Sequence, residues 1–229
     1  MATKLTWFGH SCWFIESDGT RLIVDPYMAD NPTCMIRPED VEVDYVLVTH
    51  GHSDHCSDAE SIAKRCDAIL VGVHELTQWF AKRGVQQILP MNIGGRVELD
   101  WGSLRMVPAI HSSTMPDGSD GGIASGFVIS FRDGHRIYHA GDTAFFGDMA
   151  YINRSGIDIA LLPIGGRYTM GPYDALDALR LLKPRRAMPM HYGTWEMIHQ
   201  DPQAWADHVH RQTDVEVSII QPGEMFTLA

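Results

Sequence analysis

Four strand-like apolar runs in this chain close on a side chain able to bind a metal: YVLVTH on His50, LRMVPAIH on His111, RIYHAGD on Asp142 and RAMPMHYG on His191. Ligands collect at the carboxyl ends of strands when sheets are flanked by helices, so a fold that brings these four ends to one rim would assemble a site. The rest of the patterning fits that demand. The first half reads as short strands (LTWF, CWFIE, RLIVDP, YVLVTH, AILVG, QQILP, RVELD and LRMVPAIH) separated by turn chemistry such as SDGT and IGG. A helix is expected from Ser57, where Ser57-Asp58-Ala59-Glu60 has a capping-box pattern, and another near residues 74–83, closed by Gly84.

After Gly126 the order repeats. Strands GFVISF, RIYHAGD, IDIALLPIG, RAMPMHYG and VSIIQPGEMFTLA alternate with helical segments near residues 145–154, 173–182 and 201–211. Two mixed sheets packed face to face with helices outside account for such near-continuous apolar strands, because each strand then buries one face against the other sheet. Residues 27–40 and 112–125 are the longest irregular stretches, and both are candidate walls of a pocket.

The segment THGHSDHCSD sets His50, His52, Asp54 and His55 within six positions. His50 and His52 can project to one side of an extended or turning segment, while the following turn presents Asp54 and His55 to a neighbouring position. One loop can then serve two metals, His111 completing the first set and His191 the second. Asp142, with two carboxylate oxygens, can touch both ions. Three protein ligands per ion leave a position open, as catalytic sites do and cysteine-closed structural zinc sites do not.

With these segments in view, the sequence resembles the metallo-β-lactamase superfamily, whose H-x-H-x-D-H motif stands intact as His50, His52, Asp54 and His55. The segments GHSC, YHAGDT, LLPIGGRYTMGP and PMHYGT look like its small metal-dependent hydrolase branch, YtkL-like and distantly UlaG-like. The resemblance covers nearly the whole chain and implies a four-layer αββα sandwich over residues 1–229 as one domain. It also implies one metal on His50, His52 and His111, a second on Asp54, His55 and His191, and Asp142 bridging them.

Such a centre implies a hydrolase. Two divalent ions about 3.5–4 Å apart share a hydroxide that attacks an ester, lactone, thioester or phosphodiester, with Asp54 and Asp142 holding the catalytic centre. Imidazole and carboxylate ligands suit zinc, with manganese, nickel and iron admissible. Two ions against two carboxylates and a hydroxide leave about one positive charge, so a small anionic substrate is expected. His10 in WFGHSC is a candidate for substrate contact or support of the metals. Arg167 and Tyr168, in a loop after LLPIG, are candidates for substrate contact, since Arg suits carboxylate or phosphate and Tyr can donate to an oxyanion. His139 is expected to be a buried structural histidine, facing away from Asp142, and Thr143 to cap a following helix.

Composition narrows the alternatives. The net charge is −11 with no block of basic residues, which disfavours nucleic-acid or anionic-membrane binding. A tRNase Z-like RNA phosphodiesterase shares the GDT segment but would need a basic arm, and di-iron redox members usually carry a flavin domain. Four cysteines without a C-x-x-C pair argue for reduced thiols, and no apolar run approaches a membrane span. The start MATKLTWFGH lacks a signal peptide's apolar stretch, so a cytoplasmic protein is expected, with a homo-oligomer compatible.

Overall fold

A computed structural model describes residues 2–228. Two seven-stranded mixed sheets carry the fold. The first contains β1 (Thr3–Trp7), β2 (Trp13–Ser17), β3 (Thr20–Val24), β4 (Tyr45–Leu47), β5 (Ile69–Val73), β6 (Ile88–Met91) and β14 (Met225–Leu228), in the order β14-β1-β2-β3-β4-β5-β6. The second contains β7 (Arg96–Leu99), β8 (Gly102–Pro108), β9 (Ser125–Phe131), β10 (Arg136–His139), β11 (Ile159–Pro163), β12 (Arg186–Met190) and β13 (Glu216–Val217), and runs from β13 to β7 in descending order. Hairpins join β1–β2–β3 and β7–β8–β9–β10 antiparallel, whereas β3–β4–β5–β6 and β10–β11–β12–β13 pair in parallel. Parallel pairing needs crossovers, and four of the five helices supply or flank them: α2 (Ala59–Cys66) and α3 (His74–Lys82) beside the first sheet, α4 (Pro172–Leu182) and α5 (Pro202–Gln212) beside the second. This is the αββα sandwich that the strand pattern implies.

One continuous buried cluster runs through both sheets, with Leu5, Trp13, Ile15 and Leu22 from the first and Leu104, Phe127, Ile129 and Leu161 from the second. β11 is buried at every position, as expected of a parallel strand covered on both faces. No helix among the described residues is long and apolar enough to cross a membrane.

Four local expectations are corrected. The helix expected from Ser57 begins at Ala59, because the Asp58 carboxylate is taken by the main-chain N–H groups of Met28 and Ala29 (2.7 and 3.1 Å). Glu60 pairs with Lys64 and Arg83, so no capping box forms, and a separate single turn, α1 (Ser53–Cys56), precedes the helix. Residues 145–154 hold only a 3-10 turn, Gly147–Tyr151, in which Met149 is the one buried side chain, too little apolar surface to hold a longer helix. Thr143 caps no helix: its hydroxyl accepts from the Ile110 N–H and donates to the Ala144 carbonyl. The final run VSIIQPGEMFTLA is two strands in different sheets, because a turn at residues 221–224 sends the chain from β13 across to β14.

Candidate metal centre

All four strand-closing residues meet at one rim, the first sheet contributing His50 beyond β4 and the second His111, Asp142 and His191 beyond β8, β10 and β12. The H-x-H-x-D-H segment bends after β4, and α1 turns Asp54 and His55 inward. Three groups of donor atoms come within ligand distance, His50–His52–His111, Asp54–His55–His191 with His10 beside them, and His50–His55–Asp142, so that Asp142 stands between the first two. His50 Nε2 lies 3.0 Å from His52 Nδ1, which lies 3.3 Å from His111 Nε2. Asp142 Oδ2 lies 3.0 Å from His191 Nε2 and 3.6 Å from His111 Nε2, and its Oδ1 is 3.3 Å from His55 Nε2. Asp54 Oδ2 is 3.8 Å from His55 Nε2 and 4.0 Å from His191 Nε2.

The four shorter spacings, 3.0–3.3 Å, match donors that share a divalent ion, and the three longer ones, 3.6–4.0 Å, correspond to wider angles at an ion. Donor atoms about 2.1 Å from one ion, at angles near 90–110°, lie about 3.0–3.4 Å apart. Moreover, His55 Nε2, both ring nitrogens of His191 and Asp142 Oδ1 are buried and make no well-aligned hydrogen bond: the two Nε2 atoms stand 3.3 and 3.0 Å from the Asp142 carboxylate, and His191 Nδ1 has no partner, an arrangement that an ion among them would satisfy. No Lys or Arg among the described residues pairs with Asp25, Asp54 or Asp142. A divalent ion among them would supply both the positive charge and the partners these atoms need.

A buried carboxylate that sequence reasoning passed over orders the rings. Asp25, just beyond β3, accepts from the Thr49 N–H (2.8 Å), the Thr49 hydroxyl (2.7 Å) and His55 Nδ1 (2.8 Å). His55 therefore donates from Nδ1 and presents Nε2 to the centre; burial lowers its pKa, but the Asp142, Asp54 and Asp25 carboxylates outweigh that and raise it well above the usual histidine value, so an ion bound there would take the place of the Nε2 proton. Since the Thr49 proton points at Asp25, the Thr49 oxygen accepts from His50 Nδ1 at 3.0 Å, which leaves the His50 Nε2 lone pair free. The available signal was RLIVDP, another apolar run closed by a carboxylate.

His10 is fully buried against the second group. Its Nε2 meets Asp54 Oδ2 at 3.1 Å and its Nδ1 meets the Thr194 hydroxyl at 2.8 Å, so it supports Asp54 from behind and does not line the cleft. Burial, reinforced by His191, pushes its pKa down to about 4, so the ring is neutral near pH 7. Burial also lowers His50, His52 and His111. Burial raises the Asp54 and Asp142 carboxyls, but their histidine neighbours win and hold both below the ordinary range. His139 is buried and bonds to the Ser11 carbonyl, as a structural histidine should.

Backbone strain gathers here: His10, Asp25, Arg167 and His191 all adopt left-handed conformations. Gly141 does so by necessity, since a Cβ at its φ of 62° would lie 2.6 Å from the Ser125 carbonyl oxygen.

A cleft of about 490 Å³ opens onto the centre. His52, Asp54, His111, Asp142 and His191 form its floor, and Ser112, Thr114, Met115, Pro116, Tyr168 and Trp195 form its walls. Of the two irregular stretches, residues 112–125 therefore wall the cleft. Residues 27–40 contribute no lining side chain, although Tyr27 packs edge-on against His10. Tyr168 is in place, with its hydroxyl 3.1 Å from the Met197 sulfur. Arg167 is exposed, lies over the Tyr168 ring and is not part of the cleft wall.

Comparison with known proteins agrees with this architecture. Residues 4–191 match the family model of the beta-lactamase superfamily domain. A UPF0173 metal-dependent hydrolase from Opitutus terrae is 47% identical over 226 residues, covering 96% of this chain and 98% of the relative. One from Methanopyrus kandleri is 42% identical over 228 residues, covering 97% and 99%. The solved structure of Igni18, a metallo hydrolase from Ignicoccus hospitalis, superposes with a TM-score of 0.91 at 37% identity, covering 100% of this chain and 99% of that one. The chain thus belongs to the β-lactamase superfamily, among the UPF0173 metal-dependent hydrolases.

Proposed function

We propose that residues 1–229 act as one binuclear hydrolase domain. His50, His52 and His111 would hold one divalent ion, Asp54, His55 and His191 a second, and Asp142, standing between the two groups, would serve both. The observation that carries this reading is the convergence of unsatisfied buried donors, His55 Nε2, His191 Nε2 and Asp142 Oδ1, at ligand spacing around one cleft. Zinc suits the imidazole-rich donor set best, with manganese, nickel and iron admissible.

When bound, such ions supply a hydroxide nucleophile near neutral pH and polarise the substrate oxygen. The chain's own groups do the rest. Asp25 and Thr49 fix the tautomers of His55 and His50, and His10 holds the Asp54 carboxylate in place. Asp142 and Asp54 set the anionic side of the centre. Met115, Pro116 and Trp195 limit water and give the substrate's unreactive part an apolar seat, while Ser112 and Tyr168 offer hydroxyls at its edge.

The substrate is a small ester, lactone, thioester or phosphodiester, and the cleft volume suits a molecule of that size. Two ions against Asp54, Asp142 and a hydroxide leave about one positive charge, which the buried Asp25 carboxylate behind His55 offsets, so an anionic reacting group would be held by direct contact with the ions. Four free cysteines suit a reducing, cytoplasmic setting. The test is a screen of lactones, thioesters and phosphodiesters with metal-loaded wild type and Asp142→Ala. Turnover by the wild type that is lost in a folded variant supports the reading, and equal turnover in both removes it.

A further inference from the structure

At the opposite end of the second sheet the topology builds a basic groove that the linear sequence conceals. Arg96 on β7 stands directly across from Arg105 on β8. The next row on that face is Glu98, Ser103, Ser130 and Arg136, carried by β7, β8, β9 and β10. Arg132, just past β9, and residues 155–157 complete a groove of about 270 Å³. The metal rim lies beyond the other ends of β8 and β10, so the two sites are separate.

Like charges directly opposed across strands are destabilising, and here the crowding goes further. Burial, then Arg154 and Arg96, depress the Arg105 pKa below the usual arginine value. The nearby carboxylates are already engaged. Glu98 takes Arg96 at 2.7 Å, while Asp158 accepts the Arg136 main-chain N–H at 2.8 Å and sits 3.5 Å from Arg185. Arg132 has no carboxylate within ion-pair distance among the described residues.

Two of the guanidinium groups are nonetheless held in place, while Arg132 is exposed at the mouth of the groove. Arg105 donates to the Ile152 carbonyl and Arg136 to the Ser155 carbonyl. Each anchor uses one N–H of a five-donor fork and leaves the others available to a ligand. A surface that merely carries solvated charge has no need to fix its arginines on main-chain oxygens while leaving them short of carboxylates.

We propose that this groove binds a small phosphoryl anion, a phosphate monoester or diphosphate, through Arg105, Arg132 and Arg136. Planar forks match phosphate oxygens in pairs, which chloride cannot exploit. The volume lies just under the usual range for small-molecule pockets, about 300–1,000 Å³, and matches one small phosphoryl group.

The test is calorimetric titration of metal-loaded protein with inorganic phosphate at constant ionic strength set by chloride. Three proteins are compared: wild type, the groove variant Arg105→Met/Arg132→Met, and Asp142→Ala, which reports phosphate held at the metal centre. Methionine keeps the apolar stem of arginine, and the exposed single variant Arg132→Glu serves if the double variant does not fold. Saturable binding that persists in Asp142→Ala and weakens at least tenfold in the groove variant supports the proposal. Binding that disappears in Asp142→Ala but persists in the groove variant, or no saturable binding to wild type, overturns it.

Discussion

Replacing Asp25 by Asn tests the second layer of the centre with little change of shape. Asn tolerates the left-handed backbone that Asp25 adopts at φ 50°, so the turn after β3 is retained. One amide oxygen can still accept the Thr49 N–H. The other carboxylate oxygen, which accepts the Thr49 hydroxyl at 2.7 Å and His55 Nδ1 at 2.8 Å, becomes a donor facing two donors.

To avoid that clash, His55 must move its proton to Nε2, the atom aimed at Asp142, and the Thr49 hydroxyl must rotate away from its present role toward His50. Hydrogen bonds to a charged group contribute about 1.5–3 kcal/mol, so the metal-free variant should lose about that much stability. In a chain of this size each kcal/mol moves the unfolding midpoint by about 2–4 °C, giving a fall of roughly 3–12 °C. Metal affinity should fall about 10–100-fold, the usual cost of losing an outer-shell partner. Competition with a chromophoric chelator reads the affinity, and scanning calorimetry of metal-free protein reads the stability. A variant that binds metal within threefold of wild type would refute the assigned tautomers.

Gly141→Ala should destabilise the chain by more than about 2 kcal/mol, combining a left-handed penalty with a Cβ lying 2.6 Å from the Ser125 carbonyl oxygen; an unchanged urea midpoint would contradict it. Phe127→Ala, at a fully buried position on β9, should cost about 3–5 kcal/mol and be visible in the same urea titration. In the substrate screen, Arg167→Ala should change KM by less than about threefold, whereas Trp195→Ala should raise it about tenfold for any substrate with an apolar arm, given which of the two lines the cleft. The reverse order would return Arg167 to the site.

The candidate metal centre was unusually legible because its residues announce themselves locally. His50, His52, Asp54 and His55 share one loop, and His111, Asp142 and His191 each close an apolar run, so strand geometry alone suggests a common rim. The sandwich followed from those same runs. What escaped was non-local: Asp25 matters because Thr49 and His55 fold onto it, and Thr194 because His10 does. The arginine groove is invisible in sequence, its members coming from separate strands and turns between residues 96 and 136. Helix ends failed for a related reason: Asp58 has the chemistry of a cap, but two amides from the distant residues 28 and 29 took its carboxylate first. The strand run at the carboxyl end reads as one because apolar residues flank QPG on both sides, and only tertiary pairing shows that each side joins a different sheet.

The most direct test of the central claim is metal stoichiometry by elemental analysis of protein purified without added metal, beside His111→Ala. Two divalent ions per chain in the wild type, with one weakened or lost in the variant, is the result this account predicts. A protein that binds no metal even after reconstitution, or a variant indistinguishable from wild type, would contradict it.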